Sequence, residues 1–176
     1  MKALIITGKL VQDHEFIYPY YRMQEAGFTV DVATPDGKDV IGSLGTKIPA
    51  NKCFEEAYKI EKETGYDVMI IPGGAKCMEY IRQDLDLLDF INKFNATGKT
   101  IASICHAGQM LISAKIVKGR RISGYYSIKD DINNAGAEYI DAPVVVDSNI
   151  VSCPHYKYLG EWMKRTLEVI NNHASR

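Results

Sequence analysis

Thr100-Ile-Ala-Ser-Ile-Cys105-His106-Ala-Gly-Gln-Met-Leu-Ile-Ser-Ala114 joins a short β-branched run to a segment with helical spacing. The first part predicts a buried strand and the second part a helix. Cys105 therefore lies at a strand-to-helix turn, where unpaired N–H groups and the helix dipole would lower the thiol pKa. His106 follows immediately and would supply a base or a positive charge. We expect a nucleophile elbow, although the first glycine of the serine-hydrolase motif is absent.

A purely structural interpretation competes with this one. Free cysteine is among the most buried residue types, and a single cysteine after a strand is often only part of the core. The motif by itself does not separate the two interpretations, so the rest of the chain has to be considered.

Strands alternate with helices along most of the sequence. We predict strands at residues 2–7, 28–33 and 67–71, helices at 15–26, 54–64 and 79–94, and a small hairpin within 40–48. The last third predicts short strands at 121–124, 138–140, 144–147 and 150–152, followed by a closing helix at 156–172. Such alternation indicates an α/β fold with a mostly parallel sheet covered on both faces.

Three loops should meet at the carboxyl edge of this sheet, where sites of parallel α/β folds lie. They contain Thr7-Gly8, Pro72-Gly73-Gly74 and Cys105-His106. Gly73 and Gly74 lack side chains, so their backbone N–H groups would approach a ligand and form an oxyanion hole, or simply allow a tight turn. Glu15 and Glu79 each open a predicted helix. Either is a solvated acid that complements the dipole or a group that reaches the Cys105 thiol.

Composition excludes several classes of protein. The chain has 176 residues, enough for one domain with a full core, which we expect to span residues 1–176. Its 21 basic and 22 acidic residues give no electrostatic case for binding nucleic acid or a membrane surface. No apolar run approaches the length of a membrane span, and the amino terminus enters a strand directly. We expect a cytoplasmic protein.

The cysteines and histidines show no metal-binding spacing. Cysteines 53, 77, 105 and 153 lie far apart, and in a reducing compartment they are expected to be free thiols. Histidines 14, 106, 155 and 173 form no HxH or HxxxH pair. We therefore expect no metal and no cofactor.

Four segments together resemble the ThiJ/PfpI superfamily, which includes PfpI-type intracellular cysteine proteases, protein deglycases and glutathione-independent glyoxalases. They occur in the family's order and cover nearly the whole chain: residues 15–27, 68–74, 104–109 and 142–147. The resemblance implies a flavodoxin-like three-layer αβα sandwich. It also implies that the protein forms a homodimer or a larger homo-oligomer.

The resemblance assigns roles residue by residue. Cys105 matches the family's nucleophilic or redox-active cysteine, and Glu15 matches the carboxyl group that hydrogen-bonds its sulfur. Gly74 and the His106 backbone match the oxyanion-binding amides. His106 also matches the histidine of the PfpI-type proteases, where a neighbouring subunit supplies a carboxylate. Glu79 is the nearest candidate for that carboxylate, but Ala75-Lys-Cys-Met78 precedes it where relatives usually carry Arg and Pro.

One segment departs from the family pattern. Many relatives carry a Ser-Arg pair followed by Pro after the last strand, whereas this chain has Ser152-Cys-Pro-His-Tyr-Lys157. The arginine that would bind a carboxylate with two hydrogen bonds is missing, and Lys157 would act only as a point charge. His155 either reaches the site in its place or packs at the helix start.

Three functions remain open at this point. The first is a Cys105-dependent enzyme on small reactive carbonyls, a glyoxalase or deglycase, in which Glu15 or His106 moves protons. The second is a peptidase or amidase with His106 as base. The third is a redox sensor or chaperone without catalytic activity, related to oxidative stress. The expected partner is a small carbonyl compound or a glycated or peptide substrate.

An aromatic cluster on the first helix favours assembly. It consists of Phe16, Tyr18, Tyr20 and Tyr21, more aromatic surface than one sheet face can cover. Exposed aromatic residues at such density are typical of interfaces, so the cluster supports the homo-oligomer. Alternatively, half of these side chains pack inward.

Overall fold

A seven-stranded, mostly parallel sheet forms the centre of the protein in the computed structural model, which describes residues 1–174 and the side chains of residues 1–172. The strand order is β10-β11-β7-β6-β1-β2-β5, and only β10 runs antiparallel to its neighbour. These strands are β1 (Lys2–Ile6), β2 (Thr29–Thr34), β5 (Lys52–Cys53), β6 (Val68–Ile71), β7 (Thr100–Ile104), β10 (Val145–Asp147) and β11 (Ile150–Cys153).

The central strands are buried on both faces. Every residue of β6, β7 and β11 is buried, and β1 is buried from Ala3 onward. Continuous burial is the property of parallel strands covered by helices on both sides, and it explains why these runs are apolar without alternation. The predicted flavodoxin-like α/β architecture is confirmed.

Within residues 1–174, seven α-helices accompany the sheet. They are α1 (Asp13–Glu25), α2 (Phe54–Glu63), α3 (Ala75–Ile81), α4 (Leu85–Ala96), α5 (Gly108–Ser113), α6 (Lys129–Asn134) and α7 (Leu159–Ala174). Helices α1, α2 and α5 lie within two residues of the predicted helices, and α7 lies within three. The sequence prediction missed α6, whose six residues are too few for a clear periodic pattern.

The single helix predicted at 79–94 is wrong. The chain forms α3 and α4 with a break between them, and Asp84 caps α4 by accepting a hydrogen bond from the Leu87 N–H at 3.0 Å. A capping aspartate satisfies a backbone donor that has no partner within the helix, which favours a new start at Leu85. Glu79 consequently does not open a helix, because α3 already begins at Ala75.

Two small sheets lie outside the central one. The predicted hairpin within 40–48 is present as the antiparallel pair β3 (Val40–Ile41) and β4 (Lys47–Ile48). In the last third, β8 (Arg121–Ile122) pairs in parallel with β9 (Glu138–Tyr139) and does not join the central sheet.

The strand order creates a crevice between β1 and β6. The chain leaves β1 towards β2 on one side and later returns to β6 on the other side, so the loops after β1 and β6 diverge. Ligand sites of doubly wound sheets lie at this switch point. Residues 7–12, 72–74 and 105–107 meet there, as predicted for the carboxyl edge.

The aromatic cluster of the first helix is divided between core and surface. Phe16 is 2% exposed and stacks on the half-buried Tyr20 with ring centroids 5.3 Å apart. Tyr18 and Tyr21 remain 37% and 63% exposed. Half of the cluster therefore packs inward, and the aromatic surface available to a second subunit is smaller than the sequence indicated.

Within the described residues, no helix has both the length and the apolar character needed to span a bilayer.

Candidate active site

Cys105 lies at the apex of a sharp turn. It ends β7 and begins a 3-10 turn, Cys105–Ala107, from which α5 continues without a gap. Its φ of 59° lies in the left-handed region, which costs a non-glycine residue on the order of 1–3 kcal/mol. The Tyr125 N–H donates to the Cys105 carbonyl at 3.2 Å and helps to hold the turn. The predicted elbow is confirmed.

Glu15 reaches the same point from the first turn of α1. Its side chain is fully buried, and the Gly73 N–H donates to its Oε2 at 2.8 Å. Oε1 is buried without a conventional hydrogen-bond partner among the described residues. Burial raises the pKa of Glu15 to about 7, although the Gly73 amide and the Cys105 thiol act against the rise. A buried oxygen without a donor favours the protonated acid, which itself donates.

Asp13, two residues earlier, has a pKa shifted in the opposite direction. It is 2% exposed, but the amides of Leu44 and Thr46 donate to its carboxylate at 2.8 and 2.9 Å. Burial works to raise its pKa, yet these hydrogen bonds outweigh burial, and the pKa lies below its usual value of 3.8. One turn of helix thus holds an ionised acid that fixes the 42–46 loop and a second acid that keeps its proton near neutrality.

Cys105 and Glu15 form a coupled pair. Burial raises the pKa of the Cys105 thiol, the negative charge of Glu15 raises it further, and the amides of His106 and Gly74 oppose both effects. The low thiol pKa expected from the helix start is therefore wrong, because desolvation and the neighbouring carboxylate outweigh the helix amides. When Glu15 carries the proton, its charge vanishes and it can donate to the thiolate. The pair titrates as a unit and shares one proton above neutral pH.

The two glycines have different positions relative to the sulfur. The Gly73 amide is already donated to Glu15, so its predicted place in an oxyanion hole is wrong. A Cβ at Gly73 would lie 2.5 Å from Glu15 Oε2 and 2.8 Å from Cys105 Cβ, which explains the absent side chain. The Gly74 amide is directed at the Cys105 sulfur together with the His106 amide, and Gly74 has a φ of 101°. The available amides are those of Gly74 and His106.

His106 bridges the thiol and the next loop. Its Nδ1 lies 3.2 Å from Cys105 Sγ, and its Nε2 lies 3.2 Å from Ser127 Oγ. Burial lowers the pKa of His106 below its usual value of 6.5. The imidazole is therefore neutral at physiological pH, which suits a base or a hydrogen-bond partner and not the positive charge that the sequence left open.

A cavity of about 440 Å³ opens above Cys105. Its lining includes side chains from several separate segments of the chain: Gln12, Glu15, Ser43, Lys76, Cys105, His106, Tyr125, His155 and Tyr156. The volume lies in the range typical of small-molecule sites. A thiol on a strained turn, a protonatable acid and two amides directed at the sulfur lie at the floor of such a cavity, an arrangement that suits nucleophilic chemistry.

Comparison with known proteins identifies the family. The model of the DJ-1/PfpI family matches residues 1–169. The chain belongs to the DJ-1/PfpI family. Deglycase PfpI of Pyrococcus furiosus is 36% identical over 170 residues, covering 97% of this chain and 99% of that protein. Protein/nucleic acid deglycase 2 of Escherichia coli (strain K12) is 34% identical over 149 residues, covering 84% of this chain and 83% of that protein.

A solved structure supports the same assignment. A two-domain protein of Anabaena variabilis, with DJ-1/ThiJ/PfpI-like and ferritin-like domains, superposes with a TM-score of 0.89 at 28% identity. The match covers 97% of this chain and 48% of that one. The family resemblance drawn from the four sequence segments is thus confirmed over almost the whole chain.

His155 lies on the cavity wall of this DJ-1/PfpI protein. Its Nδ1 accepts a hydrogen bond from the Lys157 N–H at 3.1 Å, and its ring packs on Tyr156 at 4.1 Å. Burial and the charge of Lys157 lower the pKa of His155, so the ring is neutral at physiological pH. Lys157 itself does not line the described cavity, and its Nζ lies 4.8 Å from the centre of the Tyr158 ring. Its expected role as a point charge at the site is not supported.

Glu79 lies outside the cavity of its own chain. Its carboxylate pairs with Lys76 Nζ at 2.8 Å, and its side chain is 57% exposed. The hypothesis that it serves a neighbouring subunit stays a prediction. The roles assigned to Cys105, His106 and Glu15 also stay predictions, although the structure brings all three together.

Sequence reasoning missed Gln12, Tyr125, Ser127 and Tyr156. Gln12 caps α1 by accepting from the Glu15 N–H at 3.2 Å, and so helps to place the acid. Ser127 holds the far side of the His106 ring. Spacing along the chain does not bring these residues together, because they come from three segments: before α1, after β8 and after β11. The one available signal was the pair Tyr125-Tyr126 directly after Gly124, in a segment with no other apparent function.

Proposed function

We propose that this protein is a cysteine-dependent enzyme that acts on small reactive carbonyl compounds, in the manner of a glyoxalase or a deglycase. The observation that carries the proposal is the pairing of Cys105 with Glu15. A buried acid with a pKa of about 7 and one unpartnered oxygen stands beside a strained thiol at the floor of an open cavity. Such a pair exchanges a proton at neutral pH without a metal or a cofactor.

The geometry supports a first step in which the thiol adds to an aldehyde. The Cys105 thiol passes its proton to the Glu15 carboxylate, and the sulfur forms a bond to the aldehyde carbon. The carbonyl electron pair moves onto oxygen, where the amides of Gly74 and His106 stabilise it. Glu15 then returns the proton to that oxygen and a neutral hemithioacetal results.

The second half of the reaction is an internal redox step. For an α-oxoaldehyde, Glu15 removes the former aldehyde hydrogen as a proton, and the electron pair forms an enediolate with the negative charge on the former ketone oxygen. The hydroxyl proton of the sulfur-bearing carbon then moves to that oxygen. Return of a proton to the former ketone carbon gives a thioester, in which one carbon is oxidised and the other reduced. Water hydrolyses the thioester to a 2-hydroxy acid and restores the thiol. No external oxidant or reductant is needed.

The relatives' names agree with this chemistry at the level of class. The proteins of Pyrococcus furiosus and Escherichia coli are both named deglycases, and a deglycase acts on an adduct of a reactive carbonyl. With a free aldehyde the sulfur adds to the carbonyl carbon, whereas with an aldehyde–amine adduct the sulfur bonds to the same carbon as the C–N bond breaks and the amine leaves with a proton.

The experiment is turnover of methylglyoxal by the purified chain, with lactate measured as product. We expect lactate formation without added metal or thiol, and loss of activity in Cys105→Ser. Cys153→Ser is the matched control, since it changes a cysteine at the neighbouring strand end outside the cavity. Absence of lactate in the wild-type chain, with folding confirmed by circular dichroism, contradicts the proposal.

A second candidate rests on a different contact. Because Cys105 Sγ lies 3.2 Å from His106 Nδ1, the pair also suits acyl transfer, with His106 as base. This function would be a peptidase or amidase in which a carboxylate, such as Glu79 of a second copy, orients the imidazole. Hydrolysis of a small amide that His106→Gln abolishes, with no effect on methylglyoxal, would support it.

We further propose that the protein acts as a homo-oligomer in the cytoplasm. The exposed Tyr18 and Tyr21 on α1 support assembly. Four free cysteines suit a reducing compartment. A species of 19.7 kDa by light scattering at micromolar concentration would contradict assembly.

A further inference from the structure

One wall of the cavity consists of aromatic rings, which we call the aromatic wall and define as Tyr125, His155 and Tyr156. All three line the cavity. The rings of Tyr125 and His155 are stacked with centroids 6.1 Å apart, and His155 and Tyr156 are 4.1 Å apart. The wall begins beside the reactive group, because Tyr125 lies 4.9 Å from the His106 ring.

The aromatic wall contacts a further ring, from α1. His14, on α1, stacks on Tyr156 with centroids 5.3 Å apart and an interplanar angle of 27°. Tyr156 therefore contacts a ring of α1 as well as that of His155, and it is still 42% exposed. Exposed aromatic residues are usually scattered singly over a surface, whereas Tyr156 continues a series of rings with the half-buried Tyr125 and His155. Rings that are already ordered lose little freedom when a ligand packs on them.

The charges around the cavity favour a neutral ligand. Among the residues that line it, none is an arginine, and the only lysine, Lys76, is paired with Glu79 at 2.8 Å. Burial lowers the pKa of both His106 and His155, so neither ring is cationic at neutral pH. A ligand carboxylate would find no guanidinium partner here.

The cavity is also larger than the smallest carbonyl substrates require. About 440 Å³ belongs to the range of sites that hold drug-sized ligands, and methylglyoxal would leave most of it filled by water. A substrate with a flat ring would fill it and exclude that water.

We propose that the aromatic wall is a specificity subsite for uncharged aryl-substituted α-oxoaldehydes, whose ring packs on Tyr156 and His155 while the aldehyde reaches Cys105. The proposal rests on the proposed function, since it names the substrate class of the same site. The chemistry at the aldehyde is unchanged, with the ring as the substituent on the ketone carbon. The wall contributes binding only and takes no part in bond formation.

The first test compares kcat/KM for phenylglyoxal and methylglyoxal. We expect the wild-type chain to prefer phenylglyoxal, and Tyr156→Ala to reduce the ratio by roughly 3- to 10-fold, the effect of one aromatic contact. Tyr156→Phe should keep the wild-type ratio, because it retains the ring. Tyr80→Ala, at an exposed tyrosine outside the cavity lining, is the control for loss of an unrelated ring. An equal ratio in the wild type and Tyr156→Ala overturns the subsite.

The second test measures binding without turnover. Acetophenone and acetone, neutral ketones with and without a ring, are added to the Cys105→Ser variant and binding is followed by saturation-transfer NMR. We expect a signal from acetophenone that Tyr156→Ala removes, and none from acetone. If neither aldehyde is turned over but acetophenone binds through Tyr156, the proposed function fails and the subsite stands. If methylglyoxal is turned over and acetophenone does not bind, the proposed function stands and the subsite is overturned.

Discussion

Cys105 and Cys153 are the same residue type at the ends of neighbouring parallel strands, yet their surroundings differ. Cys153 is the last residue of β11 and is in register with Ile104, the residue before Cys105. Cys105 turns at a φ of 59° and its side chain lines the cavity. Cys153 continues its strand, is fully buried, and its sulfur lies 3.5 Å from the His155 carbonyl oxygen.

The difference shows that a strand end is not enough to make a nucleophile. Burial raises the pKa of both thiols, that of Cys153 to about 12. What distinguishes Cys105 is a backbone turn that exposes its sulfur to the cavity and an acid that accepts its proton. The same parts recur in activated nucleophiles in general, a positioned nucleophile and a neighbouring base.

The largest expected effect comes from replacing each cysteine with serine. Cys105→Ser should lower kcat/KM for methylglyoxal by about 10³-fold or more, as removal of a nucleophile does. Cys153→Ser should retain most of the activity and lower Tm by a few degrees, because it places a hydroxyl in a fully buried position. The measurement is turnover at matched concentrations of folded protein. Comparable losses in the two variants would remove the distinction between the two strand ends.

Glu15→Gln should have the next largest effect. We expect a loss of roughly 10²-fold in kcat/KM, the contribution of a positioned acid or base. In the wild type, kcat/KM should rise as pH increases through about 7, because the Glu15–Cys105 pair must lose one proton before it can form a thiolate. That rise should be missing in Glu15→Gln. An unchanged pH profile in the variant would show that another group carries the proton.

These residues also separate what the sequence predicts from what depends on three-dimensional packing. The Cys105 turn and its sheet edge follow from local patterns, a β-branched run, a helical period and the rule for parallel sheets. These patterns left the approach of Glu15 open, and only the family resemblance assigned it. The pKa of Cys105 did not follow, because desolvation and the charge of Glu15 depend on three-dimensional packing. Asp84 is a typical helix-capping residue and could have indicated the break between α3 and α4. Apolar periodicity on both sides of it instead favoured one continuous helix. The aromatic wall could not be predicted from the sequence, since its rings and His14 come from distant segments.

Glu15 should also make stability depend on pH. Its pKa rises from 4.5 to about 7 on folding, so the folded state holds a proton that the unfolded state releases between these values. The free energy of unfolding therefore falls as pH rises through this window and is level above it. Between pH 5 and pH 8 we expect the wild type to lose about 2 kcal/mol relative to Glu15→Gln.

Urea denaturation at the two pH values measures this difference. Asp13→Asn is the matched control on the same helical turn, where the carboxylate accepts hydrogen bonds and its pKa is lowered. Its ionised form stabilises the fold above the usual carboxyl pKa, so the variant should be less stable than the wild type at both pH values. A parallel response of the Glu15 and Asp13 variants would contradict the contrast between the two acids.

The smallest effect concerns the accessibility of the thiols. Cys105 is 8% exposed, whereas Cys77 and Cys153 are 0% exposed. Cys53 is half-buried at the start of α2 and would compete for any label, so the experiment uses a Cys53→Ser background.

Brief treatment with sub-stoichiometric iodoacetamide at pH 8, followed by mass mapping, should modify Cys105 about 10-fold faster than Cys153, because Cys105 is the thiol that faces the cavity. Glu15→Gln should speed the labelling of Cys105, since loss of the carboxylate charge lowers the pKa of the thiol, and should change the rate at Cys153 much less. Equal rates at Cys105 and Cys153 would mean that the cavity gives the elbow no advantage over the neighbouring strand end.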